Sequence, residues 1–171
     1  MRTVYLCGFM GCGKSHIGRM LARARGVRFV DLDRYIVEQE GMTIPEIFEK
    51  YGEPHFRELE VKYIRSFSGD AVVATGGGAM LRDETAEFAR ENGTVYFLNT
   101  AFETCYNRIK GDANRPLVQA NTKEQLKELY DKRFPVYRKN CTYEINSNTE
   151  DRNIVSEITK FVEMERKQSE C

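Results

Sequence analysis

The run Gly8-Phe9-Met10-Gly11-Cys12-Gly13-Lys14-Ser15 constrains this chain more than any other feature. It has the spacing G-x-x-x-x-G-K-S. It follows the apolar run Val4-Tyr5-Leu6-Cys7 and precedes a helical segment from Ile17 to Arg25. Strand, glycine-rich loop and helix in that order build a phosphate site. The glycines let main-chain N–H groups turn inward around an anion, and the helix N-terminus adds partial positive charge. Lys14 is placed to reach the terminal phosphates, and the Ser15 hydroxyl is placed to ligate Mg²⁺.

Around that loop, strand-like and helical stretches alternate. Thr3–Cys7, Val27–Val30, Ala71–Ala74, Val95–Leu98 and Thr142–Asn146 read as strands. Helical patterns fall near 15–25, 33–40, 44–51, 54–67, 83–91, 101–110, 122–139 and 153–166. This alternation predicts an α/β fold with a parallel sheet. Thr43 with Glu46, and Thr122 with Gln125, are capping-box pairs. Gly41, Gly52, Gly69 and Gly93 stand where helices are expected to stop. Ile154, Val155, Ile158, Phe161 and Val162 share one stripe of the last helix, and Lys167–Cys171 reads as a frayed tail. The 171 residues suit one domain, with no repeat or linker.

Charge excludes several partners. Lys plus Arg (26) equals Asp plus Glu (26), so no global field draws nucleic acid. No apolar stretch approaches the roughly 20 residues that span a bilayer. A signal peptide is not expected at the start, because its cleavage would remove the loop. Cys7, Cys12, Cys105, Cys141 and Cys171 are odd in number and lack C-x-x-C spacing, which points to reduced thiols in the cytoplasm. His16 and His55 have no metal-ligand company.

Asp31-Leu32-Asp33 closes the second strand, where ligands sit in open α/β sheets. Asp31 is placed to hold Mg²⁺ opposite Ser15. Asp33 has two readings, a partner for a substrate hydroxyl or the N-cap of the next helix. Glu60 falls inside the apolar stripe of Phe56, Leu59, Tyr63, Ile64 and Phe67, at about 40° from Phe56 on a 3.6-residue helix. A core-facing carboxylate needs a partner, and Arg57 is one turn away. So held, Arg57 becomes a fixed fork for an external carboxylate or phosphate. The alternative is a surface pair.

Gly76-Gly77-Gly78 ends the third strand and suits the close approach of a ligand to backbone, or merely a flexible turn. The stretch Gly111 to Asn121 lacks periodicity and carries Arg115-Pro116. It reads as a mobile loop of lid type, against an ordinary surface loop. Arg133 precedes Pro135, which is expected to interrupt its helix, and Arg108 lies seven residues before Arg115.

Taken together, the phosphate loop, D-x-D, F-R-x-x-E, G-G-G, R-P-L and R-x-P-x-Y resemble, in order and rough spacing, the shikimate kinase family. The resemblance runs over about residues 1 to 140. It implies a three-layer P-loop kinase fold, with a five-stranded parallel sheet of order 2-3-1-4-5 flanked by helices, and a mobile lid at 111–121. It places a substrate-binding subregion at about 33–62. The implied reaction moves the γ-phosphoryl of MgATP to the 3-hydroxyl of shikimate, in aromatic amino-acid biosynthesis.

By the same resemblance, Gly11, Cys12, Gly13, Lys14, Ser15, His16, Arg108 and Arg115 contact the nucleotide. Ser15 holds Mg²⁺, and Asp31 reaches it through water. Asp33 is the acceptor's partner and candidate base, and Lys14 and Arg115 join it in catalysis. Arg57 and Arg133 grip the carboxylate, Glu60 orients Arg57, and Gly76, Gly77 and Gly78 line the ring. The expected protein is a cytoplasmic monomer that binds ATP and shikimate and neither nucleic acid nor membrane. Two departures stand out. Asn146–Asp151 lacks the proline usual after the fifth strand, and the lid reads R-P-L-V where R-P-L-L is common. Rival readings are a kinase for gluconate or a nucleoside monophosphate, and a nucleotide switch, although no N-K-x-D base-reading motif is present.

Overall fold

The computed structural model describes residues 2–169. Its five parallel strands are β1 (Thr3–Cys7), β2 (Arg28–Asp31), β3 (Ala71–Ala74), β4 (Gly93–Asn99) and β5 (Tyr143–Asn146). They lie in the order β2-β3-β1-β4-β5, the order the resemblance implies. β1, β3 and β4 are buried almost throughout, which explains their continuous apolar character. β1 is central: Leu6 stands opposite Ala74 on one side and Tyr96 on the other. Its carboxyl end therefore opens at the middle of the sheet edge, where folds of this kind bind ligands.

The flanking helices are α1 (Lys14–Arg25), α2 (Leu32–Glu40), α3 (Ile44–Tyr51), α4 (Glu53–Ile64), α5 (Asp83–Asn92), α6 (Phe102–Ile109), α7 (Pro116–Gln119), α8 (Lys123–Asn140) and α9 (Asp151–Ser169). Both expected capping boxes form, at Thr43 with Glu46 and at Thr122 with Gln125. α1 stops at Gly26, whose φ of 65° lets Val27 N–H donate back to Ala22 O at 3.0 Å. Gly41 ends α2 and Gly52 ends α3 as expected. Gly93 follows the last residue of α5, as expected, and is also the first residue of β4. Gly69 does not end a helix, because α4 ends at Ile64. Among the described residues, no helix is long and apolar enough to cross a membrane.

Three expectations are corrected. Pro135 does not interrupt α8, which runs on to Asn140. Pro135 and Asp131 are both exposed, so the carbonyl that loses its donor lies next to solvent. The stretch 111–121 is not all loop, because Pro116 opens the short helix α7, with its missing N–H at a position that needs none. The end of the chain is not frayed at Lys167, since α9 continues to Ser169. Glu170 and Cys171 lie outside the described residues. Ile154 and Ile158 of α9 are buried, with Val155, Phe161 and Val162 packed beside them.

Candidate active site

The phosphate loop joins β1 to α1. Gly8, Gly11 and Gly13 all take positive φ (140°, 80° and 100°), backbone that side chains resist. At Gly8 and Gly11 space forbids a side chain as well. A Cβ on Gly8 would sit 2.9 Å from Leu98 O, and one on Gly11 would sit 2.6 Å from Cys105 O. Two neighbours strap the loop: Thr100 Oγ1 donates to Cys12 O at 3.1 Å, and Arg108 Nη1 donates to Gly11 O at 3.0 Å. Lys14 is buried at 9% exposure. Its Nζ donates to Gly8 O at 2.9 Å and Phe9 O at 3.0 Å, and touches Cys12 Sγ at 3.6 Å. Among the described residues, no carboxylate lies within ion-pair distance of it. A buried ammonium with only neutral acceptors calls for an anion.

Ser15 Oγ donates to Asp31 Oδ2, and Asp31 Oδ1 accepts from Arg34 N at 3.3 Å. Asp31 is thus the N-cap of α2, and the capping alternative for Asp33 is corrected. Asp33 sits one residue into the first turn. There its Oδ1 is buried with no hydrogen-bond partner among the described residues. His16 is exposed, with Nε2 2.9 Å from Asp151 Oδ2 at the start of α9.

Opposite the loop, α4 presents Arg57 and Glu60. Glu60 is 1% exposed, and its Oε2 accepts from Arg57 Nη1 at 2.8 Å. The buried-support reading of Glu60 therefore holds over the surface pair. Glu60 Oε1 has no partner among the described residues. Burial pushes the Glu60 carboxyl up to about 7, against the pull of Arg57. Burial also raises Asp33, and the Asp31 charge adds to it.

The glycine triplet packs between these groups. A Cβ on Gly76 would lie 2.6 Å from Asp33 Oδ1 and closer still to Glu60 Oε1. A Cβ on Gly78 would run into the Arg57 guanidinium, 2.9 Å from Nη2 and closer to Nη1. Gly76 and Gly78 are therefore needed for close approach, and neither has positive φ. Gly77 has more room, with Met10 N at 3.5 Å and Arg133 Nη1 at 3.8 Å from its would-be Cβ. Arg133 arises from the interior of α8, not from a helix end, and is buried. Arg115 Nε donates to Asp112 Oδ2 at 2.9 Å, just before α7. Val118 of α7 is buried.

These groups line one cleft of about 790 Å³. Every residue that the resemblance places at the site borders it except Cys12, whose side chain turns inward beside Gly8. Sequence reasoning missed Glu53 and Asp112, which pair with Arg57 and Arg115, and gave no role to Tyr137 of the R-x-P-x-Y motif, whose hydroxyl donates to Gly77 O. It also missed the Phe48–Phe56 pair in the cleft wall, with ring centroids 5.3 Å apart. The i−4 place of Glu53 and the i−3 place of Asp112 were the available signals.

Residues 10–163 match the shikimate kinase family. The chain is 45% identical over 163 residues to the shikimate kinase of Persephonella marina, covering 92% of this chain and 97% of that protein. A shikimate kinase of Geobacter sulfurreducens is also 45% identical, over 94% of this chain and 91% of that protein. This chain belongs to the shikimate kinase family. The structure of the shikimate kinase from Acinetobacter baumannii in complex with shikimate agrees, with a TM-score of 0.91 and 37% identity. That match covers 96% of this chain and 94% of the other. In this shikimate kinase family member, the proline-free loop after β5 is pinned by Asn148. Its Oδ1 accepts from Ala101 N at 2.8 Å, and its Nδ2 donates to Asn99 O at 3.2 Å.

Proposed function

We propose that this chain transfers the γ-phosphoryl group of ATP to the 3-hydroxyl of shikimate, giving shikimate 3-phosphate and ADP. One observation carries the reading. A buried, carboxylate-free ammonium (Lys14) shares a cleft with a half-clamped guanidinium (Arg57) and an unpartnered carboxylate oxygen (Asp33). The first suits a polyphosphate, the second an organic acid, and the third a hydroxyl.

Main-chain N–H groups of Gly11 and Gly13, with Lys14, hold the phosphates, and Cys12 completes the loop between them, its N–H donating to Phe9 O at 3.1 Å. His16 and Arg108 flank the nucleotide. Ser15 and Asp31 fit Mg²⁺, because their adjacent side chains supply hard oxygen donors. Ser15 would hold the ion directly and Asp31 through water. Bound there, it would supply positive charge to offset that of the transferring phosphoryl group. Arg57 and Arg133 bind the acceptor carboxylate, Glu60 steadies Arg57, and Gly76, Gly77 and Gly78 line the ring.

In the transfer, the acceptor oxygen forms its bond to the γ-phosphorus as the bond to the β–γ bridging oxygen breaks. The hydroxyl proton passes to Asp33. A raised pKa makes the ionised Asp33 a better proton acceptor. Lys14 and Arg115 stabilise charge on the transferring group. Residues 111–121 close as a lid that excludes water, and about 33–62 form the acceptor subregion. The chain works as one kinase unit, a monomer in the cytoplasm, with small molecules as its partners. A coupled ADP-release assay with shikimate, gluconate and nucleoside monophosphates tests the reading. Shikimate alone should accelerate ADP release. Faster release with another acceptor, or with none, would overturn it.

A further inference from the structure

Arg57 is held on three sides. Its Nε and Nη2 both donate to Oε1 of Glu53, at 3.2 and 2.7 Å. Its Nη1 donates to Oε2 of Glu60 at 2.8 Å. The backbone of Gly78 lies against the group so closely that a Cβ would not fit. A guanidinium has five N–H donors, and three are committed here. The two that remain, one on each Nη, are the number a single carboxylate takes in a bidentate pair.

Glu60 alone cannot fix this arrangement. It meets the guanidinium at one nitrogen, and a single contact leaves the plane free to swing. Glu53 grips the opposite edge at two nitrogens and removes that freedom. Glu53 is itself well held. It is the first residue of α4, where a helix favours negative charge. It also lies four residues before Arg57, the favourable order for such a pair.

We propose that Glu53 is a positioning residue for the acceptor's carboxylate, aligning Arg57 from the edge that Glu60 does not reach. The proposal rests on the reading of Arg57 as that carboxylate's fork. The Glu53 side chain is 47% exposed, so its pair with Arg57 adds little to folding stability. Its contribution is therefore readable in binding, apart from the fold.

The test compares Glu53→Ala, Glu53→Gln and Arg57→Ala by KM for shikimate, KM for ATP and melting temperature. Glu53→Ala should raise the shikimate KM about fivefold, the loss of one ordinary net hydrogen bond. The ATP KM should not move, and the melting temperature should fall by no more than a few degrees, through loss of the acid at the start of α4. Glu53→Gln, which keeps an acceptor oxygen, should fall between Glu53→Ala and the native chain. The preference for shikimate over its carboxamide should shrink in Glu53→Ala. An unchanged or lowered shikimate KM in Glu53→Ala, with a raised one in Arg57→Ala, would overturn the role of Glu53 and leave that of Arg57. Equal rises for shikimate and ATP in Glu53→Ala would also overturn it. An unchanged shikimate KM in Arg57→Ala would remove the underlying reading itself.

Discussion

The hydroxyl of Tyr137 donates to the carbonyl of Gly77, a residue 60 positions earlier in the chain. Tyr137 is buried and Gly77 half-buried, and the bond ties α8 to the centre of the glycine triplet. Asn140, three residues on, donates to Met80 O at 2.9 Å, and Arg133, four residues back, reaches toward Gly77. One polar face of α8 thus sets the path of the segment between Gly76 and Met80. Tyr137→Phe leaves the half-buried Gly77 carbonyl without that donor, a loss of about 1 kcal/mol. Urea unfolding should show it. The shikimate KM should rise severalfold with the ATP KM little changed, and equal shifts in both would refute this division.

Lys14→Met separates function from stability in the opposite sense. The native ammonium is desolvated without a compensating charge, so its removal relieves a cost of folding without ligand. The variant should melt no lower than the native chain. Turnover should fall by at least about a hundredfold, as for loss of one charge-stabilising donor. ATP should raise the melting temperature of the native chain and not of the variant. Near-native turnover would remove the phosphate-loop argument.

Gly76→Ala and Gly77→Ala form a matched pair. Neither position needs positive φ, so an added methyl is judged on space alone. At Gly76 it meets two buried carboxylate oxygens, and something must shift. At Gly77 the nearest atoms are at ordinary contact distance, 3.5 Å and beyond. Gly76→Ala should lose most activity and some stability, whereas Gly77→Ala should keep its fold. Equal behaviour of the two in calorimetry and in the ADP-release assay would show that the triplet acts through flexibility.

The strand order came from the family resemblance, whereas the residues themselves carried the loop and most of the cleft, for separable reasons. Glu60 was legible because a carboxylate inside the stripe of Phe56, Leu59 and Tyr63 has few places to go. The capping alternative went to Asp33 alone, because the helical pattern reads as starting at 33, whereas α2 starts at Leu32. Only the backbone shows that the cap falls on Asp31. Pro135 misled because its effect depends on whether the carbonyl four residues back faces core or solvent, which a local pattern does not state. Gly76 and Gly78 were flagged as places of close approach, but the side chains that approach come from α2 and α4, far off in sequence. Glu53 went unnoticed since an exposed acid at a helix start has an ordinary local explanation.

Glu60 also gives a pH signature of folding. Its ordinary value is 4.5, and the folded chain holds it at about 7, chiefly through burial. Between those values the folded state binds more protons than the unfolded one. Stability then falls as pH rises. Through this group, native stability should drop between about pH 4.5 and 7 and level off above. Asp33, also raised, adds a slope of the same sign. Glu60→Gln removes only the first, so in urea unfolding from pH 5 to 8 the variant should gain steadily on the native chain and stop gaining near pH 7. A difference that stays flat across that range would mean that Glu60 keeps its charge throughout, with Arg57 and Arg133 outweighing its burial.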